Sequence, residues 1–290
     1  MKPPVSADIS TLPDTSPESP YINEPPDDDE VLLAQAMDIL EPQSYKQALK
    51  SPNSPEWQKA MDDNLQSLRE NEIYAIVPRP RGQKIVDSRW VFKVKSNAEG
   101  NLKYYKAWLV AKGYSQTEGV DYDEIFSPVV RFDSLRLLLT ISASRGWKPC
   151  QLDVKTAFLY GVLKDEVYMY LPEGSWEEGM VAKLNRCIYG LKQSPREWYF
   201  RLVEYLVSYG FSVTTFDPCV LVHSSGDLIL AIYVNDITLY GNSGKLVDDT
   251  VGALKREFKI TDMGIISWLL SIHIQFTDEG ITMSQTTFAE

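Results

Sequence analysis

Cysteine and histidine are scarce in this sequence, which has three and two of them in 290 residues. Cys150, Cys187 and Cys219 are odd in number, far apart and without Cys-x-x-Cys spacing, so they make neither a disulfide framework nor a zinc site. His223 and His273 leave little for histidine-based metal or triad chemistry. No uncharged apolar run approaches the roughly 18–20 residues of a membrane span. The N-terminus has no apolar stretch of the secretory kind. These absences fit an intracellular, reduced setting, cytoplasm or nucleus, with no membrane partner. What is present is ample material for a core, at 44% hydrophobic and 11% aromatic residues, in one large domain or two small ones.

Positive charge is also lacking, but only locally. Residues 1–44 hold ten Asp/Glu, one Lys and eight of the 17 prolines, whereas residues 45–290 hold 30 acids and 28 bases. The overall net charge of −11 therefore describes mainly the first segment. Its run Pro25-Pro26-Asp27-Asp28-Asp29-Glu30 cannot bury enough surface to order itself, so 1–44 is expected to be a disordered acidic tail with a transient helix at 31–40. Residues 45–290 form the folded unit, and their near balance of charge leaves nucleic-acid binding open.

Along that unit, Ser54-Pro55-Glu56 reads as a helix start, followed by Trp57, Ala60, Met61, Leu65 and Leu68 at helical spacing. A strand at 73–77 precedes a hairpin whose first arm alternates Trp90, Phe92 and Val94, whose second is 102–111, and whose turn is 97–101. Asp133 is expected to cap a helix carrying Leu135, Leu138, Leu139 and Ser142, closed by Gly146. Strands are expected at 150–154, on both sides of 224–227, and at 268–276; helices at 194–210 and 245–259. The mixture, with no internal repeat, is α+β rather than alternating βαβ.

Two acids stand where apolar strands end, Asp153 after Cys150-Gln151-Leu152 and Asp236 after the strand at 228–234. Such acids converge on a sheet edge in Mg²⁺ sites. Each has a plainer reading: Asp153 as a helix cap, and Asn235-Asp236 as the turn of a hairpin. Spacing alone favours the plainer ones.

Longer motifs are more specific. Gln151-Leu152-Asp153-Val154-Lys155-Thr156-Ala157-Phe158-Leu159 resembles the first catalytic motif of copia-type retrotransposon reverse transcriptases, and Leu184-Asn185-Arg186-Cys187-Ile188-Tyr189-Gly190-Leu191-Lys192-Gln193-Ser194-Pro195-Arg196 the next. Tyr233-Val234-Asn235-Asp236 stands in the place of the family's Tyr-Val-Asp-Asp box. Trp90-Val91-Phe92-Lys93 and Lys106-Ala107-Trp108-Leu109-Val110-Ala111-Lys112-Gly113 are similar to its fingers hairpin. The motifs occur in consistent order from about Tyr45 to the end.

The resemblance implies a right-hand polymerase of fingers and palm that extends DNA on an RNA or DNA primer–template with deoxynucleoside triphosphates and Mg²⁺, Mn²⁺ being an alternative. It implies Asp153 and Asp236 as catalytic metal ligands with the Val154 carbonyl, and Phe158 beneath the sugar. Tyr189, Gly190 and Lys192 would lie by the nucleotide, and Lys106 and Lys112 would contact phosphate. Three positions depart from the family pattern. Asn235 replaces the first acid of the box, Trp108 an arginine, and Ser271 a glycine that permits close backbone approach. Nothing resembling a thumb, connection or RNase H follows Phe288-Ala289-Glu290. The expectation is an impaired or silent polymerase, the alternative a non-catalytic nucleic-acid-binding remnant or pseudogene product.

Overall fold

A computed structural model describes residues 40–96, 102–175, 177–242, 244–277 and 280–285. Most of the acidic tail, nearly all of its transient helix, the turn at 97–101 and the terminal Phe288-Ala289-Glu290 lie outside them.

Ser44 accepts a bond from the Gln47 N–H and starts α1 (Tyr45–Lys50). Helix α2 (Ser54–Glu70) begins after Asn53, one residue before the expected cap, with Pro55 in the first turn, where a missing N–H costs nothing. Its five expected apolar residues are all buried. Strands β1 (Tyr74–Pro78), β2 (Ile85–Val86), β3 (Ser88–Ser96) and β4 (Leu102–Ala111) follow. β3 and β4 pair as the expected antiparallel hairpin. One face, with Trp90, Phe92, Ala107, Leu109 and Ala111, joins the core of α2, where Trp57 meets Phe92 and Tyr105 edge-on at 5.3 and 4.7 Å.

Helix α3 (Phe132–Arg145) ends at Gly146, whose φ of +65° suits a left-handed C-cap. Asp133 does not cap it: it sits inside the first turn, 95% exposed, beside Arg136. The helix start is instead fastened by buried Asp217, which accepts from the Arg131 N–H and the Ser134 hydroxyl. After β5 (Cys150–Val154) come a short 3-10 turn at Ala157–Tyr160, then β6 (Val162–Met169), β7 (Met180–Arg186) and α4 (Ser194–Ser208). Strands β8 (Phe211–Val213), β9 (Val220–His223), β10 (Leu228–Tyr233) and β11 (Asp236–Gly241) precede α5 (Lys245–Glu257) and β12 (Ile260–Ile265).

The segment expected as one strand at 268–276 is two: β13 (Trp268–Leu269) turns at Leu270-Ser271 into β14 (Ile272–Thr277), which pairs with β15 (Gly280–Ser284). The unbroken apolar alternation conceals that turn.

Among the described residues three larger sheets form, besides the hairpin: β1-β7-β6-β2, β12-β5-β11-β10-β9-β8 and β13-β14-β15. The six-stranded sheet, with α3, α4 and α5, encloses the main core, and a second core lies between α1, α2, the hairpin and the four-stranded sheet. This is the expected α+β class. Among the described residues no helix is long and apolar enough to cross a membrane.

Candidate active site

β5 and β11 are adjacent in the middle of the six-stranded sheet, and their register sets Asp153 opposite Asp236. Residues 83 apart in sequence are thus side by side, each 6% exposed. Buried carboxylates need donors, and both have them. The Asn235 amide donates to Asp153 Oδ1 at 3.0 Å, the Lys155 ammonium bonds the other Asp153 oxygen, and Gln151 Nε2 donates to Asp236 Oδ1 at 2.8 Å. Asp153 is a strand residue and Asp236 opens the next strand, so neither is the cap or turn residue of the plainer readings.

The turn itself is Val234-Asn235, one residue earlier than expected, closing the Tyr233–Asp236 pair. Val234 has φ +54°, a left-handed conformation that costs a β-branched residue on the order of 1–3 kcal/mol and persists only where surroundings impose it. The surroundings here are specific. Trp198 Nε1 donates to the Val234 carbonyl at 2.7 Å, and the Val154 N–H donates to the Asn235 carbonyl at 2.9 Å. Thr156, at φ +53°, makes a second tight turn just beyond Asp153.

The other candidate residues make contacts of their own. Phe158 and Tyr189 meet edge-on at 4.9 Å. Gly190 has φ +90°, and a Cβ there would lie 2.0 Å from the Ala111 carbonyl oxygen, so glycine lets this loop press on the end of β4. Lys192 donates through Nζ to the Tyr122 hydroxyl, and its N–H donates to Gln116 Oε1. Buried Gln116 in turn donates to Gln193, which donates to the Asp121 carbonyl. Lys112 lies 3.6 Å from Asp87. Trp108 is 5% exposed and carries the Lys106 ammonium 4.3 Å above its ring.

Ser271 stands apart, in the three-stranded sheet. It and Leu270 have φ +62° and +51°, the pattern of a type I′ turn. The demand for glycine there is thus conformational, in addition to any demand for close approach.

Sequence reasoning missed Gln151, Lys155, Gln116 and Trp198. Strand alternation places Gln151 on the face of Asp153 and offered a signal; the Trp198 bond, from another element, offered none.

Asp153 and Asp236 present only hard oxygen donors, the type Mg²⁺ takes, and so fit such an ion as two carboxylates. Beside them residue 235 is an amide, and among the described residues no three His, Cys, Asp or Glu side chains converge. Thiolate ligation is disfavoured, since burial pushes Cys150 up to about 11 and Cys187 up to about 12.

Residues 71–290 match the family model described as reverse transcriptase (RNA-dependent DNA polymerase). The chain is 39% identical over 261 residues to the retrovirus-related Pol polyprotein from transposon TNT 1-94 of Nicotiana tabacum, covering 87% of this chain and 20% of that one. It is 38% identical over 254 residues to the Pol polyprotein from transposon RE1 of Arabidopsis thaliana, covering 86% and 17%. An uncharacterized mitochondrial protein of Arabidopsis thaliana is 42% identical over 102 residues, 35% of this chain and 58% of that one. The chain spans about a fifth of the length of the Pol polyproteins it matches. With most of its length matched, the chain belongs to the reverse transcriptase (RNA-dependent DNA polymerase) family, as a domain of the kind found in retrotransposon Pol polyproteins.

Proposed function

We propose that this chain is the fingers-and-palm part of an RNA-directed DNA polymerase, weakened at its metal site. The observation that carries the reading is the in-register pair Asp153 and Asp236 on central strands beside a strained turn. The six-stranded sheet with α3–α5 is the palm, and α1, α2 and the β3–β4 hairpin belong to the fingers. Substrates are deoxynucleoside triphosphates and an RNA or DNA primer–template.

Asp153, Asp236 and the Val154 carbonyl would hold Mg²⁺ or Mn²⁺, and the chemistry such an ion would supply is activation of the primer hydroxyl and neutralisation of charge on the leaving pyrophosphate. Phe158, braced by Tyr189, floors the sugar site and excludes a 2′-hydroxyl by bulk. Gly190 and Lys192 border the nucleotide. Lys106 and Lys112 supply phosphate contacts that do not depend on sequence.

Asn235 preserves the turn and bonds Asp153, but it brings no charge. A loss of about 4 kcal/mol of transition-state stabilisation lowers the rate by roughly 10³. Trp108 stacks but cannot neutralise a triphosphate as arginine does, and it holds the Lys106 ammonium on its ring. Ser271 leaves the metal site untouched.

Primer extension on a poly-A template, comparing the protein with Asn235→Asp, tests this. Activity confined to the revertant is expected. Equal activity in both overturns the impairment. Silence in both, with primer–template still bound and the chain folded, leaves the non-catalytic binding remnant.

A further inference from the structure

Gln116 and Gln193 are 5% and 2% exposed, and the two-carboxylate site uses neither. A buried amide is costly unless it is bonded, and these two complete one another. Gln116 Nε2 donates to Gln193 Oε1 at 2.9 Å, and Gln116 Oε1 accepts from the Lys192 N–H at 2.8 Å. Gln193 Nε2 donates onward to the Asp121 carbonyl at 2.9 Å. These bonds join two segments 77 positions apart in sequence.

The same two segments meet through their backbones. The Ala111 N–H donates to the Tyr189 carbonyl at 2.8 Å, and a Cβ at Gly113 would lie 2.0 Å from the Gly190 carbonyl oxygen. The segment that carries Gln116 has anchors of its own: the Asp121 carboxylate accepts from the Thr117 N–H at 2.7 Å and lies 3.1 Å from the Lys84 ammonium. It also holds the far end of Lys192, whose ammonium donates to the Tyr122 hydroxyl at 3.1 Å and lies 5.0 Å from the centre of that ring.

We propose that Gln116 is a positioning residue, which fixes the loop at 189–192 against the end of β4 and so sets the affinity for the nucleoside triphosphate. Apolar side chains of equal volume would fill the same space and let the loop slide, whereas a satisfied amide network fixes one arrangement. What it fixes is Lys192 at both ends and, next to it, Tyr189, whose ring meets Phe158. That this loop borders a nucleotide rests on the polymerase reading; the hold on the loop does not. A loop that keeps its arrangement only about a tenth of the time weakens apparent nucleotide affinity about tenfold.

The test compares the full chain with Gln116→Met, which keeps the buried volume and removes both bonds, and with Gly113→Ala, which leaves both glutamines in place and forces the backbones apart. In the unaltered chain the Lys192 amide should exchange with deuterium at least about tenfold more slowly than in an unstructured peptide, and each variant should lose that protection. On a poly-A template with a dideoxy-terminated oligo-dT primer, each variant should bind dTTP about tenfold more weakly at unchanged primer–template affinity. Placed in the Asn235→Asp protein with an extendable primer, each change should raise KM for dTTP about tenfold at a similar kcat; a merely structural role would lower kcat through the folded fraction and leave KM alone. An unprotected Lys192 amide in the unaltered chain overturns the proposal whatever the variants do, as do equal dTTP affinities or a loss confined to kcat. Loss of Lys192 protection in the variants, with dTTP bound by none of the proteins, upholds the hold on the loop and counts against the polymerase reading.

Discussion

Two hairpin turns of this molecule, Val234-Asn235 and Leu270-Ser271, each hold two residues between paired strands, and neither has the Asn-Gly that such turns favour. Their departures differ in kind. At Asn235 the backbone is kept and, on the proposed reading, a charge is missing. At Ser271 no charge is at stake and the backbone is uncomfortable, with φ +62°. The first turn is clamped on both sides, by Trp198 and by the Val154 N–H, and lies between buried strands. The second is held chiefly by Ile272 and Ile274 packing into the main core. A substitution in a clamped turn shows in chemistry, because the fold absorbs it; one in a lightly held turn shows in stability.

The largest effect expected to sharpen that contrast comes from Asn235→Asp. Extension should rise by roughly 10³, while stability without metal falls. A new carboxylate would stand against buried Asp153 where an amide now donates to it, and like charges in a buried site repel. Thermal unfolding followed with and without Mg²⁺ checks this. The variant should gain more from added Mg²⁺ than the parent does, because only an ion bound to the folded state stabilises it. A parent that gains as much would put the third carboxylate outside the metal site.

Next in size is Trp198→Phe. The ring, 1% exposed and edge-on to Phe258 at 5.3 Å, keeps most of its packing, but the bond to the Val234 carbonyl is lost. A fully buried carbonyl without its donor costs about 1–3 kcal/mol; this one is partly buried, so the loss should lie toward the low end, measurable as a lower urea midpoint. Combined with Asn235→Asp, it should also slow extension at unchanged primer–template affinity, since the strained turn then relaxes. Unchanged extension would show that the clamp is structural only, and the contrast between the turns would weaken.

The same two turns show what the sequence could and could not convey. β5 and the β4 arm fall at their expected bounds, the alternation of Trp90, Phe92 and Val94 lies on β3, and the apolar spacing of α2 gives its buried face. The turn at Leu270-Ser271 was hidden because Trp268, Leu270, Ile272, Ile274 and Phe276 alternate straight through it, and Leu-Ser carries no turn signal. Leu269, Ile272 and Ile274 pack into the main core on either side of the reversal, a tertiary effect. At the candidate site, Asp153 and Asp236 were visible as strand-end acids, and their convergence came only from resemblance until the register supplied it. The grip of Trp198 joins residues 36 apart through another helix, and no local pattern encodes such a bond.

Ser271→Gly is the smallest effect and the cleanest test of the second turn. A non-glycine residue in the left-handed region pays about 1–2 kcal/mol, and glycine removes that cost while losing more freedom on folding, by roughly 0.5–1 kcal/mol. The net gain therefore lies between about 0 and 1.5 kcal/mol, worth at most about 6 °C in a protein of this size. Leu270, at φ +51°, keeps its own strain, so Leu270→Asn added to Ser271→Gly should raise the midpoint further. Neither change touches Asp153, Asp236 or Val234, and extension by the Asn235→Asp protein should be the same with or without them. A glycine that speeds extension and leaves the melting temperature alone would mean that position 271 acts on substrate through close backbone approach, and the conformational account of this turn would fail.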